Sequence, residues 1–307
     1  MTTPALVINQ QQLKGELLFN ECLAGYNTWR VGGRAKALYK PQDLDDLITF
    51  LKECPLSERL LCLGLGSNSL IKDTGFSGVV VVMQGCLTSL ARIALDRVRV
   101  EAGVSCAKMA RFCTRNQLTG GEFWAGVPGT MGGALRMNAG CFKKETWETV
   151  AEVETISRSG EIRHRKPEEF QIAYRHVSGL EEGEWFVAAT CRLIPGDQAH
   201  SAELIKELLA HRAATQPTSA YNCGSVFRNP PGQFAAKLIE SCGLKGYRIG
   251  GAVVSEKHAN FILNAEKTAS ANDIEQLIDT VQRTVFEKTG VQLIREVIVL
   301  GDNACRT

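Results

Sequence analysis

"LGLGSNSLIKD", Leu63 to Asp73, is the stretch on which the fold class turns. The apolar run before it, Leu60 to Leu63, reads as a short buried strand, and Gly64 and Gly66 follow. That is how the phosphate-binding turn of a dinucleotide Rossmann unit begins. Such a turn then needs a third glycine, here at position 69, and a helix after it. Position 69 is Ser, and Ile71-Lys72-Asp73-Thr74-Gly75 reads as a turn, so a Rossmann fold is excluded on context. Two readings remain open on spacing alone. Inward-turned backbone N–H groups, extended by the Ser67 and Ser69 hydroxyls and the Asn68 amide, would form an anion nest. Alternatively, the glycines make a plain turn between two strands.

A second glycine-bearing stretch lies downstream. "GVPGTMGGALRMNAG", Gly126 to Gly140, holds five glycines, one proline and a single charge, Arg136. It is too apolar for a linker and too rich in glycine for an ordinary helix. Gly132-Gly133-Ala134 removes side-chain bulk on successive residues, while Thr130 and Asn138 supply small polar groups. Either a flat or phosphorylated ligand lies against the main chain here, or two backbones pack closely.

Around these stretches the elements alternate. Leu44, Leu47, Ile48 and Leu51 recur at helical spacing after Asp43. "GVVVVM" (78–83) and "RVRVEAG" (97–103) read as strands, and 104–117 as an amphipathic helix. Residues 150–166 read as two strands about a Ser-Gly turn, and 185–194 as a strand. Pro195-Gly196-Asp197 punctuates the chain. Beyond it come helices at about 201–213 and 233–241, a strand pair near 249–263, a helix at about 270–289 and a last strand at 295–300. The expected division is a domain at 1–200, in two parts split near 60–85, and a second at 201–307.

The bounds are those of an ordinary globular protein: 307 residues, 44% hydrophobic, 22% charged. A net charge of +2 gives no bulk attraction to nucleic acid or membrane. The amino terminus has no basic-then-apolar signal pattern, and no apolar run is long enough to span a bilayer. Eleven cysteines show no zinc-type spacing, and Cys62, Cys86, Cys106, Cys113 and Cys191 sit in apolar or mixed runs as small buried hydrophobes. Reduced thiols, a cytoplasmic location and no metal are expected.

Taken together, the motifs match a known set. "TWRVGG" (28–33), "LGLGSNSLIKDTGFSG" (63–78), "GVPGTMGGALRMNAG", "AYRHV" (173–177), "NCGSVFRNP" (222–230), "LIESCGLKGYRIGGAVVSEKHANFILN" (238–264) and "REVIVLG" (295–301) occur in order. From about residue 26 to 301 the chain resembles the UDP-N-acetylenolpyruvoylglucosamine reductase (MurB) family. The resemblance implies an α+β chain: a two-part FAD-binding domain of the vanillyl-alcohol-oxidase type, then a smaller α/β substrate domain. It implies non-covalent FAD, with Gly64, Gly66, Ser67, Asn68, Gly126, Val127, Gly129, Thr130 and Gly133 as contact candidates.

The implied reaction uses NADPH to reduce UDP-N-acetylglucosamine enolpyruvate to UDP-N-acetylmuramate, for cell-wall peptidoglycan. Arg175, Ser225 and Glu296 fall on the family's catalytic positions, and Tyr174, Arg228 and Asn229 flank the motifs as substrate-binding candidates. His258 is expected to be a hydrogen-bonded structural residue. Two features depart from the family pattern. No Lys precedes the serine motif, so Arg212, Arg228 and Lys237 are the candidates for the UDP phosphates; and the chain looks like the shorter subclass, without an inserted capping loop. A monomer with no macromolecular partner is expected. The rival readings are another FAD-dependent oxidase or dehydrogenase on the same fold, and a non-catalytic sugar-nucleotide binding protein.

Overall fold

The structure, a computed structural model, describes Leu6 and residues 8–303. The chain folds as two compact units: Met1–Phe19, Ala37–Leu65 and Gly78–His211 form the first, and Asn20–Lys36, Gly66–Ser77 and Arg212–Thr307 the second.

In the first unit, Asp43 caps helix α1 (Leu44–Glu53) by accepting the Asp46 N–H at 2.8 Å, at the start the sequence predicts. Leu47, Phe50 and Leu51 of α1 pack with Tyr39, Val79 and Val81, where Leu60–Leu63 runs parallel to the strand Phe76–Val82. Asp46 is itself buried, and its carboxylate accepts the Tyr39 hydroxyl and the Lys14 and Gln42 N–H groups.

The larger part of this unit is an antiparallel five-stranded sheet. Its order is Ile162–Arg165, Val150–Ile156, Trp185–Arg192, Arg97–Glu101, Leu90–Ala94. Helix α2 (Cys106–Arg115) and helix α3 (Met131–Met137) cover it with Met109, Met131 and Leu135, over Val98, Val100 and Ala189. Cys106, Cys113 and Cys191 are buried in this core, and burial pushes the Cys106 and Cys191 thiols up to about 12.

Helix α3 corrects an expectation. It runs through Gly132-Gly133, where the sequence reading allowed no ordinary helix. Each glycine costs a helix about 1 kcal/mol relative to alanine. Close packing offsets that cost: a Cβ at Gly132 would lie 2.9 Å from Ala102 Cβ, and the Met131 and Gly132 N–H groups donate to Val104 O and Ala102 O at 2.8 and 2.9 Å. Helix α4 (Gln198–Thr215) then carries the chain out of this unit.

The second unit has its own core. Helix α5 (Ala235–Ser241) and helix α6 (Ala271–Thr289) pack with Ala252–Val254 and Ile262–Asn264, an antiparallel pair. Ile298–Leu300 pairs in parallel with Ser69–Ile71. Trp29, fully buried, joins this core with Phe227, Ile239 and Ile278. By packing, then, the chain divides differently from the expected 1–200 and 201–307. Asn20–Lys36 and Gly66–Ser77 group with the C-terminal hundred residues, because their apolar side chains are buried there.

Candidate active site

In the first unit the two glycine-bearing stretches meet. A Cβ at Gly64 would lie 2.6 Å from Thr130 Oγ1, too close unless the threonine side chain moved. Gly126 is covered by Phe142 and Cys141, and Val127 is buried. Gly129 has φ of 134°, in the region that favours glycine, and its carbonyl accepts the Cys106 N–H at 3.0 Å. Gly133 differs from its neighbours: it is exposed, and a Cβ there would meet only Thr130 Oγ1, at 3.9 Å. So the glycines do two things. Gly64, Gly126 and Gly132 admit neighbouring protein atoms, and Gly133 leaves a bare, open backbone face beside Thr130.

Arg175 is attached to the same stretch. It occupies, with Tyr174, the two-residue loop between Gln171–Ala173 and His176–Ser178, at φ 54°. That conformation is uncommon for a residue with a side chain and persists only where the surroundings impose it. Here the position does so, the second of a two-residue hairpin loop, and the guanidinium is bonded in place there. Nη1 donates to Asn138 O at 3.2 Å and Nη2 to Gly140 O at 2.8 Å, with Glu145 Oε1 3.6 Å from Nη1. Tyr174 is exposed, and its ring lies 4.9 Å from the guanidinium carbon. Arg136 Nη1 ties the returning strand to α3 through Val177 O at 2.9 Å.

In the second unit four of the quoted motifs converge. Gly66, at φ 67°, lies so close to Tyr26 and Asn27 that a Cβ would come within 2.7 Å of Asn27 Cα, and its carbonyl accepts the Thr28 N–H at 3.3 Å. Cys223 Sγ lies 3.2 Å from Thr28 Oγ1 and 3.5 Å from both Gly66 O and Ser69 O. Burial pushes this thiol up to about 11. Trp29 Nε1 donates to Ile262 O at 2.8 Å, and Asn264 Nδ2 returns a bond to Trp29 O at 2.9 Å.

Ser225 stands between Gly224, at φ 73°, and Val226, whose carbonyl accepts the Glu296 N–H at 2.8 Å. Buried Asn260 fixes this segment: its carbonyl takes the Val226 N–H, and its side chain both accepts from Phe227 N and donates to Phe227 O, at 3.0 and 2.8 Å. Asn68 Nδ2 donates to Glu296 O at 3.1 Å. The glycine loop, the serine motif and the glutamate are therefore hydrogen-bonded into one assembly.

The candidates thus fall into two groups. Gly64, Gly126, Val127, Gly129, Thr130, Gly133, Tyr174 and Arg175 lie in the first unit; Gly66, Ser67, Asn68, Ser225, Arg228, Asn229 and Glu296 lie in the second. Several are already engaged. Asn229 Oδ1 accepts the Ala235 N–H at the start of α5, at 3.0 Å. Arg212 Nε bonds Gln216 Oε1 at 3.0 Å, and Lys237 lies over the Phe234 ring. Arg228 Nε is buried and, among the described residues, without a hydrogen-bond partner. His258 departs from expectation: its Nδ1 is buried without a partner among the described residues, the ring stands edge-on to Phe261, and burial holds its pKa below the usual histidine value. Glu145 and Asn260 are not singled out in the sequence, and Asn138 is marked there only as a small polar group. Only Asn138 carried a local signal, since asparagine tolerates the left-handed conformation it adopts, φ 44°. Among the described residues no cluster of His, Cys, Asp or Glu could hold a metal ion.

Comparison with known proteins places the chain in a family. Residues 216–300 match the C-terminal domain of UDP-N-acetylenolpyruvoylglucosamine reductase, and residues 35–165 match an FAD binding domain family. A Legionella pneumophila (strain Corby) protein named UDP-N-acetylenolpyruvoylglucosamine reductase is 65% identical over 294 residues, 96% of this chain and 95% of its own. The chain belongs to the UDP-N-acetylenolpyruvoylglucosamine reductase family.

Within this MurB family a Methylococcus capsulatus (strain Bath) reductase is 53% identical over 94% of each chain. The crystal structure of the Thermus caldophilus MurB superposes with a TM-score of 0.79 at 29% identity, covering 94% of this chain and 99% of that one. The fold is accordingly α+β, with an FAD-binding domain and a MurB C-terminal domain. The residues fit a flavin: Gly133 offers open backbone beside Thr130, where a side chain would otherwise stand. Among the described residues no helix is long and apolar enough to cross a membrane.

Proposed function

We propose that the chain reduces UDP-N-acetylglucosamine enolpyruvate to UDP-N-acetylmuramate in the cytoplasm, as a monomer, with NADPH as reductant, in peptidoglycan synthesis. The observation that carries this reading is the bonding of the "GSN", "NCGSV" and "REV" motifs into one assembly, in which Val226 O, next to Ser225, holds the Glu296 amide. The open backbone at Gly133, with Gly64, Gly129 and Thr130, would hold FAD without a covalent link, and the bound flavin would supply hydride-transfer chemistry.

The protein's part is electrostatic and protonic. During the reduction, negative charge builds beside the substrate carboxylate. Arg175 presents a planar, permanent cation with paired donors to that carboxylate. Its guanidinium is fixed beforehand on Asn138 O and Gly140 O, so little ordering remains to be done when substrate arrives. The Ser225 hydroxyl donates the proton to the carbon, and Glu296, paired to the adjoining backbone, orients the group that gives it. Tyr174, Arg228 and Asn229 contact the sugar nucleotide. The cation candidates for its phosphates narrow to Arg228, the one of the three with an unpartnered buried nitrogen among the described residues.

NADPH oxidation followed at 340 nm, with and without the enolpyruvyl sugar nucleotide, tests the reading. Oxidation that proceeds to UDP-N-acetylmuramate only with that substrate is expected. A yellow protein that consumes NADPH equally without it would sink the proposal.

A further inference from the structure

Glu145 has no part in the scheme above, yet it is the carboxylate beside Arg175. It is not held there by Arg175. Asn138 Nδ2 donates to Glu145 Oε2 at 2.7 Å, the Glu148 N–H donates to the same side chain, and the Glu145 N–H donates to Glu148 Oε1 at 2.9 Å. Asn138 is in turn fixed by Trp147 N at its Oδ1 and by Ala173 O at its Nδ2, 3.1 and 3.2 Å away. Arg175, for its part, rests on the carbonyls of Asn138 and Gly140. The two charges thus share Asn138 as an anchor, Glu145 through its side-chain amide and Arg175 through its carbonyl, and they face one another at 3.6 Å. That is beyond hydrogen-bond length but well within Coulomb range, and both side chains are half-buried, where screening is weaker than at the surface.

We infer that Glu145 is a positioning residue for Arg175: a fixed counter-charge that keeps the guanidinium in place and sets how strongly it attracts a carboxylate. The inference rests on the reading of Arg175 as the group that meets the substrate carboxylate. An incoming carboxylate then shares Arg175 with one already present. The arrangement stabilises the resting guanidinium at the cost of ground-state affinity for the substrate.

The test uses binding, not turnover. Calorimetry on the oxidised holoenzyme, without NADPH and at low salt, compares the enolpyruvyl nucleotide with UDP-N-acetylglucosamine, which lacks the carboxylate. Glu145→Gln removes the charge and keeps an acceptor oxygen. It should tighten the carboxylate-bearing ligand by about three- to tenfold and leave the other unchanged. Glu145→Asp, which keeps the charge, should not tighten it, and FAD content and melting temperature establish that each variant is folded. A merely structural, helix-capping Glu145 would change both ligands alike or neither, and either result overturns the inference. Arg175→Gln separates the two readings. If it abolishes the preference for the carboxylate ligand while Glu145→Gln does nothing, Arg175 keeps its role and Glu145 loses its own. If the preference survives Arg175→Gln, the assignment of Arg175 is itself wrong and the inference goes with it.

Discussion

Arg175 and Ser225 are held in opposite ways. Arg175 sits on a two-residue hairpin loop in a left-handed conformation, and its own guanidinium ties that loop to Asn138 O and Gly140 O. Ser225 hangs from a segment fixed by backbone bonds and by Asn222, Cys223 and Asn260, and among the described residues its hydroxyl takes no part in that support. The difference teaches what a substitution reports. At Ser225 the chemistry is removed alone; at Arg175 chemistry and conformation are removed together.

The largest expected effect breaks the comparison if it fails. Ser225→Ala should leave flavin reduction by NADPH near normal and slow reoxidation by the enolpyruvyl substrate by about two to four powers of ten, the usual worth of a general acid. Stopped-flow absorbance separates the two steps. Equal slowing of both would mean that Ser225 also shapes the flavin surroundings, and its supposed independence would be lost.

Arg175→Lys comes next. The charge stays, but the planar fork that grips Asn138 O and Gly140 O does not, so kcat at saturating substrate should fall on the order of a hundredfold. The loop, still at positive φ, should also lose about 1 kcal/mol of stability in thermal unfolding. Unchanged melting with reduced kcat would show that the loop holds its shape without the guanidinium.

Asn260→Ala attacks the other mode of support. It leaves the Phe227 N–H and C=O without their buried partner, so stability should drop by about 2–3 kcal/mol in urea unfolding. Turnover at saturating substrate should fall too, because Ser225 is the next-but-one residue. Full activity in a destabilised variant would show that the strand pairing with Glu296 alone positions the serine.

The smallest effect sharpens the contrast among glycines. Gly133→Val, with open space at its Cβ, should fold and lose FAD affinity by about tenfold, read by equilibrium dialysis. Gly129→Val is a poorer probe, since φ of 134° strains any side chain there whatever it meets. A Gly133→Val protein with native FAD affinity would remove that face from the cofactor site.

Much of this was legible in the sequence because it is local. Asp43 ahead of Leu44, Leu47 and Leu51 announces α1, the alternation in "RVRVE" gives its strand, and the Ser-Gly turn gives the hairpin at 150–166. Fold class and motif order came through for the same reason. What stayed hidden depends on distant partners. Nothing around Trp29 says that its core lies more than 190 residues away, with Phe227. Helix α3 needs Ala102 and Val104 to tolerate its glycines. Nothing local marks Arg175 for positive φ, because the turn that calls for it is fixed by the pairing of Gln171–Ala173 with His176–Ser178. Glu145 and Asn260 act through neighbours their spacing does not reveal.

The parallel pairing of Ser69–Ile71 with Ile298–Leu300 also has a consequence in time. On the ribosome, Ser69–Ile71 emerges long before its partner Ile298–Leu300 has been made. At roughly 5–20 residues per second, Leu70 waits on the order of 10–50 s for Val299 to be made. During that interval Trp29, Val31 and Leu70 have no completed core to enter. The nascent chain therefore offers a long-lived apolar handle to a holdase or to aggregation. A version shortened just before Ile298 should remain in that exposed state.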